Sequence, residues 1–129
     1  MILVDTSVWI DYFSGSDRRL TSRMHELLED DQVALAAPVK IEILSGSSAK
    51  DLTALQRVLQ ALPLLIPTRS TWERMEGWTE KAVIKGERFG AADLLIAGLA
   101  ADSDIPLWSK GEDFRRMQRL GFIRLHIAD

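Results

Sequence analysis

Short apolar runs alternate along the chain with longer stretches in which apolar residues recur every three to four positions. The runs predict buried strands, and the longer stretches predict amphipathic helices. The strands are expected at residues 2–4, 33–36, 64–66, 106–108 and 123–125, and the helices at 8–13, 17–30, 38–46, 52–62, 71–86, 91–101 and 113–120. Strands separated by helices favour a parallel sheet covered on both faces. We therefore predict an α/β fold, a three-layer α/β/α sandwich around a central, mainly parallel sheet of four to five strands.

Several helix faces and ends follow from the same pattern. Pro38 suits the first position of a helix that Gly46 ends, and Ser70 or Thr71 suits the start of a later one. The second predicted helix is expected to bury Leu20, Met24, Leu27 and Leu28. The 71–86 helix is expected to bury Trp72, Met75, Thr79, Ala82 and Val83.

Composition limits the class of protein. The 129 residues, 47% of them hydrophobic, predict a single domain spanning residues 1–129. There is no cysteine, which excludes disulfides, thiolate metal sites and a cysteine nucleophile. No apolar run approaches the roughly 20 residues of a membrane helix, and the start of the chain lacks the features of a signal peptide. We therefore expect a soluble cytoplasmic protein with no membrane partner.

Four acidic residues lie where a carboxylate is costly unless it is paired or binds a cation. Asp5 ends the first apolar run, and Glu42 lies inside an apolar helix segment. Asp93 is the only charge in the stretch 89–101, and Asp113 follows the fourth strand. Sites in parallel sheets form at the carboxyl ends of strands. The sequence therefore predicts one divalent-metal pocket that these carboxylates share.

Ordinary roles for the same residues compete with this hypothesis. Asp5 suits a helix N-cap, although Thr6 or Ser7 can cap instead and leave its carboxylate free. Glu42 suits an exposed helix position, and Asp113 suits a first helical turn. Asp5 also suits a phosphotransfer nucleophile with Lys110 as its cation, but the adjacent acid that such chemistry typically uses is missing.

Basic residues are grouped, although the net charge is −3. Arg18, Arg19 and Arg23 form one cluster, and Lys81, Lys85 and Arg88 form another. Such clusters are commonly solvated faces. An acidic pocket fringed by arginine would nevertheless suit a metal-bridged phosphate substrate.

The chain resembles the PIN-domain family, and most closely its VapC-type toxins. Four segments carry the resemblance, at residues 2–11, 37–46, 91–97 and 107–114. The last departs from the family pattern, because Gly111 occupies a position that is commonly acidic, while Asp113 matches the later Asp of that pattern.

The resemblance implies a Mg²⁺- or Mn²⁺-dependent endoribonuclease. Asp5, Glu42 and Asp93 match the family's metal ligands. Either Asp113 takes over the fourth position, directly or through a water, or three carboxylates hold one metal firmly and a second only weakly. The Thr6 and Ser109 hydroxyls are expected to support a ligand or a phosphate oxygen. The resemblance also implies an RNA substrate, a homodimer, and a cognate antitoxin that places a basic side chain in the acidic pocket. We expect the antitoxin in a groove among Trp9, Tyr12, Phe13 and the 52–62 helix. The alternative is a PIN-like binding or scaffold module that has lost activity through Gly111.

Overall fold

The computed structural model describes residues 1–127, in which four strands and seven helices alternate. The strands are β1 Ile2–Val4, β2 Val33–Ala36, β3 Leu64–Leu65 and β4 Leu107–Trp108. The helices are α1 Thr6–Ser14, α2 Arg18–Glu29, α3 Ala37–Ser45, α4 Leu52–Gln60, α5 Arg69–Ile84, α6 Ala91–Asp102 and α7 Glu112–Arg119.

The four strands form one parallel sheet in the order β3-β2-β1-β4. In its register Leu3 lies opposite both Ala34 and Leu107. The helices flank this sheet, which confirms the predicted α/β fold. The predicted strand at 123–125 was wrong, because only Leu125 pairs, through a single parallel bridge to Leu107.

The core lies around β1, whose three residues are all buried and which is paired on both sides. Leu20, Met24 and Leu27 of α2 are buried as predicted, because their spacing places them on one face. The predicted inner face of α5 was partly wrong. Thr71, Met75, Trp78 and Ala82 are buried, whereas Trp72, Thr79 and Val83 are exposed. In residues 1–127, no helix combines the length and apolarity needed to cross a membrane.

Five helices, α1, α2, α3, α5 and α7, begin one or two residues away from their predicted starts. Pro38 lies second in α3, after Ala37. The N-cap of α5 is Thr68, whose backbone N–H donates to Thr71 Oγ1 at 3.0 Å. Gly46 ends α3 as predicted.

Candidate functional site

Asp5 lies at the carboxyl end of the central strand, in the N-cap position of α1. It is only 8% exposed, and its side chain makes no capping hydrogen bond to the helix. Of the two roles considered above, Asp5 therefore takes the N-cap position while its carboxylate remains available for another purpose. A buried carboxylate needs compensating partners.

Two serine hydroxyls supply those partners. Ser7 Oγ donates to Asp5 Oδ2 at 2.9 Å, and Ser109 Oγ donates to the same oxygen at 2.8 Å. Ser109 Oγ in turn accepts the Gly111 N–H at 3.0 Å, and Ser7 Oγ accepts the Lys110 N–H at 3.1 Å. Asp5 Oδ1 accepts no hydrogen bond from residues 1–127. One carboxylate oxygen is thus held in place, and the other remains for a ligand.

Asp93 lies in the first turn of α6 and is half-buried. Burial raises the pKa of Asp93, and the negative charges of Asp113, Asp5 and Glu42 raise it further, as does hydrogen bonding with Asp113. The four acidic residues come from widely separated parts of the chain. The fold therefore brings Asp113, Asp5 and Glu42 within electrostatic reach of Asp93.

Arg116 holds Asp113 against the segment before α6. Its Nη2 donates to Asp113 Oδ1 at 2.6 Å and to the Arg88 carbonyl at 3.2 Å. Its Nη1 forms an ion pair with Glu87, and the guanidinium lies 4.5 Å from the centroid of the Phe89 ring. These contacts join α7, which carries Asp113, to the segment that leads into Asp93. The sequence pattern did not identify Arg116.

Glu42 is exposed on α3 and lies on the rim of an apolar groove between α1 and α4. The groove has a volume of about 620 Å³, and Ile10, Phe13, Leu55 and Val58 provide apolar surface along it. Phe13 and the helix now defined as α4 line it as predicted. Trp9 is fully buried and stacks on Phe13, and Tyr12 packs on His25, so the expected contribution of these two residues was wrong.

The remaining candidates occupy different surroundings. Thr6 Oγ1 is buried without a hydrogen-bond partner among residues 1–127, so it does not contact Asp5 as Ser109 does. The Lys110 ammonium pairs with Asp11 and not with Asp5, which does not favour the phosphotransfer reading. A Cβ added at Gly111 would lie 3.4 Å from Phe114 and from Ser109 Oγ, an ordinary contact, so the backbone there has room for a side chain.

The fit to a divalent cation depends on charge and donor chemistry. Carboxylate oxygens are the ligands that Mg²⁺ and Mn²⁺ prefer, and the charges of three other carboxylates act on Asp93 here. As the side chains stand, no three acidic or histidine residues of the described chain converge closely enough to hold one ion. The residues fit a cation by their chemistry, without a formed coordination sphere.

Comparison with known proteins gives consistent results at the levels of family, sequence and structure. A model of the PIN domain family matches residues 2–120. Ribonuclease VapC11 of Mycobacterium tuberculosis is 30% identical over 125 residues, which cover 93% of each chain. Ribonuclease VapC32 of the same species is 31% identical over 111 residues, covering 85% of this chain and 84% of that one. The chain therefore belongs to the PIN-domain family, as a VapC-type member.

Solved structures agree on the fold. A chain of the VapBC2 structure from Rickettsia felis, solved with a DNA fragment from the promoter, superposes with a TM-score of 0.77 at 19% identity, covering 100% of both chains. A chain of VapBC-1 from nontypeable Haemophilus influenzae gives a TM-score of 0.77 at 20% identity, covering 98% of this chain and 97% of that one.

Proposed function

We propose that the protein is a metal-dependent endoribonuclease that acts as the toxin of a toxin–antitoxin pair. Relatives named as VapC ribonucleases that match 93% of the chain support the activity. Structural neighbours described as VapBC complexes or toxin–antitoxin complexes support the pairing. The observation that carries the proposal is the buried carboxylate of Asp5, whose Oδ2 accepts hydrogen bonds from Ser7 and Ser109 while Oδ1 accepts none from residues 1–127.

Asp5, Glu42, Asp93 and Asp113 are the residues proposed to hold Mg²⁺ or Mn²⁺. When bound, such an ion draws negative charge from a phosphate and makes a nearby water more acidic. Asp5 is suited to a fixed ligand, because Ser7 and Ser109 hold Oδ2 and leave Oδ1 available. Ser109 is proposed to support the site through its hydrogen bond to Asp5, and Ser7 is proposed to do the same.

Asp93 and Asp113 are the carboxylates that need not be fully engaged with the metal, and of the two Asp93 is the better candidate to accept a proton from the attacking water. The carboxylate of Asp113 already accepts a 2.6 Å hydrogen bond from Arg116, which reduces its capacity to accept a proton. The pKa of Asp93 is raised by burial and by neighbouring charge, which makes its carboxylate a stronger base. Water deprotonated at Asp93 attacks phosphorus, the bond to the 3′-oxygen breaks, and that oxygen takes a proton from solvent. The products are a 5′-phosphate and a 3′-hydroxyl.

RNA end mapping tests this function. Purified protein is incubated with total cellular RNA and Mg²⁺ or Mn²⁺, and both new ends at each cut are sequenced and chemically identified. We expect 5′-phosphate and 3′-hydroxyl ends, no cleavage in EDTA, and no cleavage by Asp5→Asn. Asp30→Asn is the matched control, because Asp30 is exposed and its side chain makes no contact among residues 1–127. Cyclic phosphate ends, or undiminished cleavage by a folded Asp5→Asn variant, would refute the mechanism.

The apolar groove between α1 and α4 is the proposed antitoxin site. Three apolar side chains that line the groove are largely exposed: Ile10 at 59%, Phe13 at 42% and Val58 at 45%. Together they form an exposed apolar patch, which is typical of a protein–protein contact. Glu42 borders this surface, so a basic side chain of a bound segment can reach the acidic residues from the groove. An amphipathic antitoxin segment would therefore cover both the groove and the site.

The inactive binding module is the second candidate function. Gly111 favours it, as does the absence of three converging ligands among residues 1–127. Calorimetric titration with Mn²⁺ separates the two functions. Binding in the micromolar to low-millimolar range that Asp93→Asn removes supports the nuclease, and no measurable binding by the folded protein supports the module.

The homodimer and the cytoplasmic location also stay predictions. Light scattering of the purified chain measures the first, and fractionation of the native cell measures the second. Neither is needed for the chemistry proposed at the acidic residues.

A further inference from the structure

A basic cleft lies at the start of α2, separate from the apolar groove. It has a volume of about 750 Å³ and is lined by Arg18, Arg19, Ser22, Arg23, Glu26 and Ile127. These arginines are one of the basic clusters that stand out in the sequence.

Local helix energetics do not explain the arginines. The first turn of α2 has no acidic residue and contains Arg18 and Arg19, although the positive end of the helix dipole disfavours cations there. Asp17 is the N-cap, and its side chain accepts from the backbone N–H groups of Arg19 and Leu20 at 3.1 and 3.2 Å. Neither arginine forms an ion pair with any residue in 1–127. Neither positive charge is therefore neutralised within residues 1–127.

Contacts of Lys110 connect the start of α2 to the edge of the sheet at which Asp5 lies. The Lys110 ammonium pairs with Asp11, which raises the pKa of Lys110, and the charge of Asp17 raises it further, so the start of α2 lies near Lys110. The Lys110 N–H donates to Ser7, which donates to Asp5. Ile127 follows Leu125, which pairs in parallel with Leu107, so the chain reaches the cleft from this edge as well.

We infer that Arg18 and Arg19, with Arg23, bind backbone phosphates of the RNA strand beside the scissile bond. This inference rests on the proposed function. An acidic cluster repels a polyanion, and the whole chain carries a net charge of −3, so the strand needs a local cationic surface to approach the site. Arg23 pairs with Glu26 at 3.2 Å and is partly neutralised, so Arg18 and Arg19 carry most of the effect.

The test measures RNA binding without cleavage. Two proteins are compared: the Asp5→Asn variant, and the same variant that also carries Arg18→Ala and Arg19→Ala. Each is titrated into a labelled single-stranded RNA, and binding is measured by fluorescence anisotropy from 0.05 to 1 M salt. Two lost phosphate contacts should reduce the salt slope by about 1.4, which is about 25-fold weaker binding at 0.1 M salt. Arg57→Ala with Arg69→Ala is the control in the same background, because both residues are exposed and removal of both changes the net charge equally.

The outcomes separate this inference from the proposed function. Equal salt slopes for the two arginine pairs would overturn the inference, while RNA cleavage with Asp5 intact would still support the nuclease. If Arg18→Ala and Arg19→Ala weaken RNA binding but the wild-type protein never cleaves RNA, the RNA-binding role of the arginines is supported and the nuclease function is rejected. Wild-type protein in EDTA provides a second non-cleaving background if Asp5→Asn does not fold.

Competition distinguishes RNA from an acidic protein segment as the ligand. Polyglutamate of equal charge should displace the RNA weakly from the protein with both arginines present. Loss of polyglutamate binding in the arginine variant, with RNA binding unchanged, would show that the cleft serves an acidic polypeptide and would overturn the inference. With the arginines removed and Asp5 intact, kcat/KM should fall mainly through a higher KM.

Discussion

Ser109→Ala tests whether the hydroxyl groups around Asp5 prepare it to hold a cation. The substitution removes the 2.8 Å hydrogen bond to Asp5 Oδ2 and the acceptor of the Gly111 N–H at 3.0 Å. It adds no bulk and leaves Ser7 as the remaining partner of the carboxylate. Asp5 then loses part of what fixes its orientation at the end of β1.

The magnitude follows from these two contacts. A hydrogen bond to a charged group contributes about 1.5–3 kcal/mol and a neutral one about 0.5–1.5 kcal/mol. Ser109 and Gly111 are half-buried, so water can replace part of each lost hydrogen bond. The expected decrease in the free energy of unfolding is therefore about 2 kcal/mol. For a chain of 129 residues this lowers Tm by roughly 6–10 °C. Removing a residue that orients a metal ligand lowers metal affinity or activity about 10- to 100-fold.

Calorimetry with Mn²⁺ and thermal melts in EDTA measure the two effects separately. Ser7→Ala should act similarly, because its hydroxyl donates to the same oxygen at 2.9 Å. Ser103→Ala is the matched control, since that serine is exposed, makes no side-chain hydrogen bond among residues 1–127 and should change Tm by under about 2 °C. A Ser109→Ala protein that binds Mn²⁺ and cleaves RNA like the control would refute the reasoning.

Three further predictions concern other parts of the site. Asp93→Asn should abolish cleavage but raise Tm in EDTA at neutral pH. The pKa of Asp93 is raised in the folded protein, so the wild type loses stability relative to this variant as the pH rises from the ordinary Asp range through the folded pKa. The same Tm for both proteins at every pH from 3 to 8 would contradict this. Arg116→Ala should lower Mn²⁺ affinity and kcat together by releasing Asp113, whereas Arg115→Ala, an equal charge change at an exposed position, should leave both within about twofold. Ile10→Asp should weaken binding of the cognate antitoxin at least 100-fold in a pull-down or calorimetric assay, with RNA cleavage retained, because it puts a charge on the apolar groove; unchanged antitoxin binding would place the partner elsewhere.

Features that depend on one stretch of chain were predictable. The apolar runs at residues 2–4 and 33–36 gave the two central strands with their observed bounds. Asp93 stood out because nothing else in its segment is charged, and the structure places it in the first turn of α6. The position of Asp5 at the carboxyl end of β1 was predictable from the run before it, whereas the shared metal pocket of Asp5, Glu42, Asp93 and Asp113 stays a prediction, because no three acidic residues of the described chain converge on one point.

Features that depend on contacts between distant segments were not predictable. Arg116 contacts Asp113, Glu87 and the Arg88 carbonyl. Glu87 and Arg88 lie in a different part of the chain, so no local sequence pattern predicts these contacts. The face of α5 was misjudged because Trp72 and Val83 are apolar, yet the helix turns Trp78 inward, where it stacks on Phe122 at 4.7 Å. The residues at 123–125 have strand composition but gain only one bridge, since the short strand β4 offers little to pair with.

The placement of Glu42 restricts how this protein can diverge from its inhibitor. The same carboxylate borders the surface proposed for the partner and adds its charge to the site proposed for catalysis. If both proposals hold, a Glu42 substitution that escaped inhibition would also weaken the metal site, so it would bring little selective gain. We therefore expect new partner specificity to arise at Ile10, Phe13 or Val58, which line the groove and are not among the residues proposed to hold the metal.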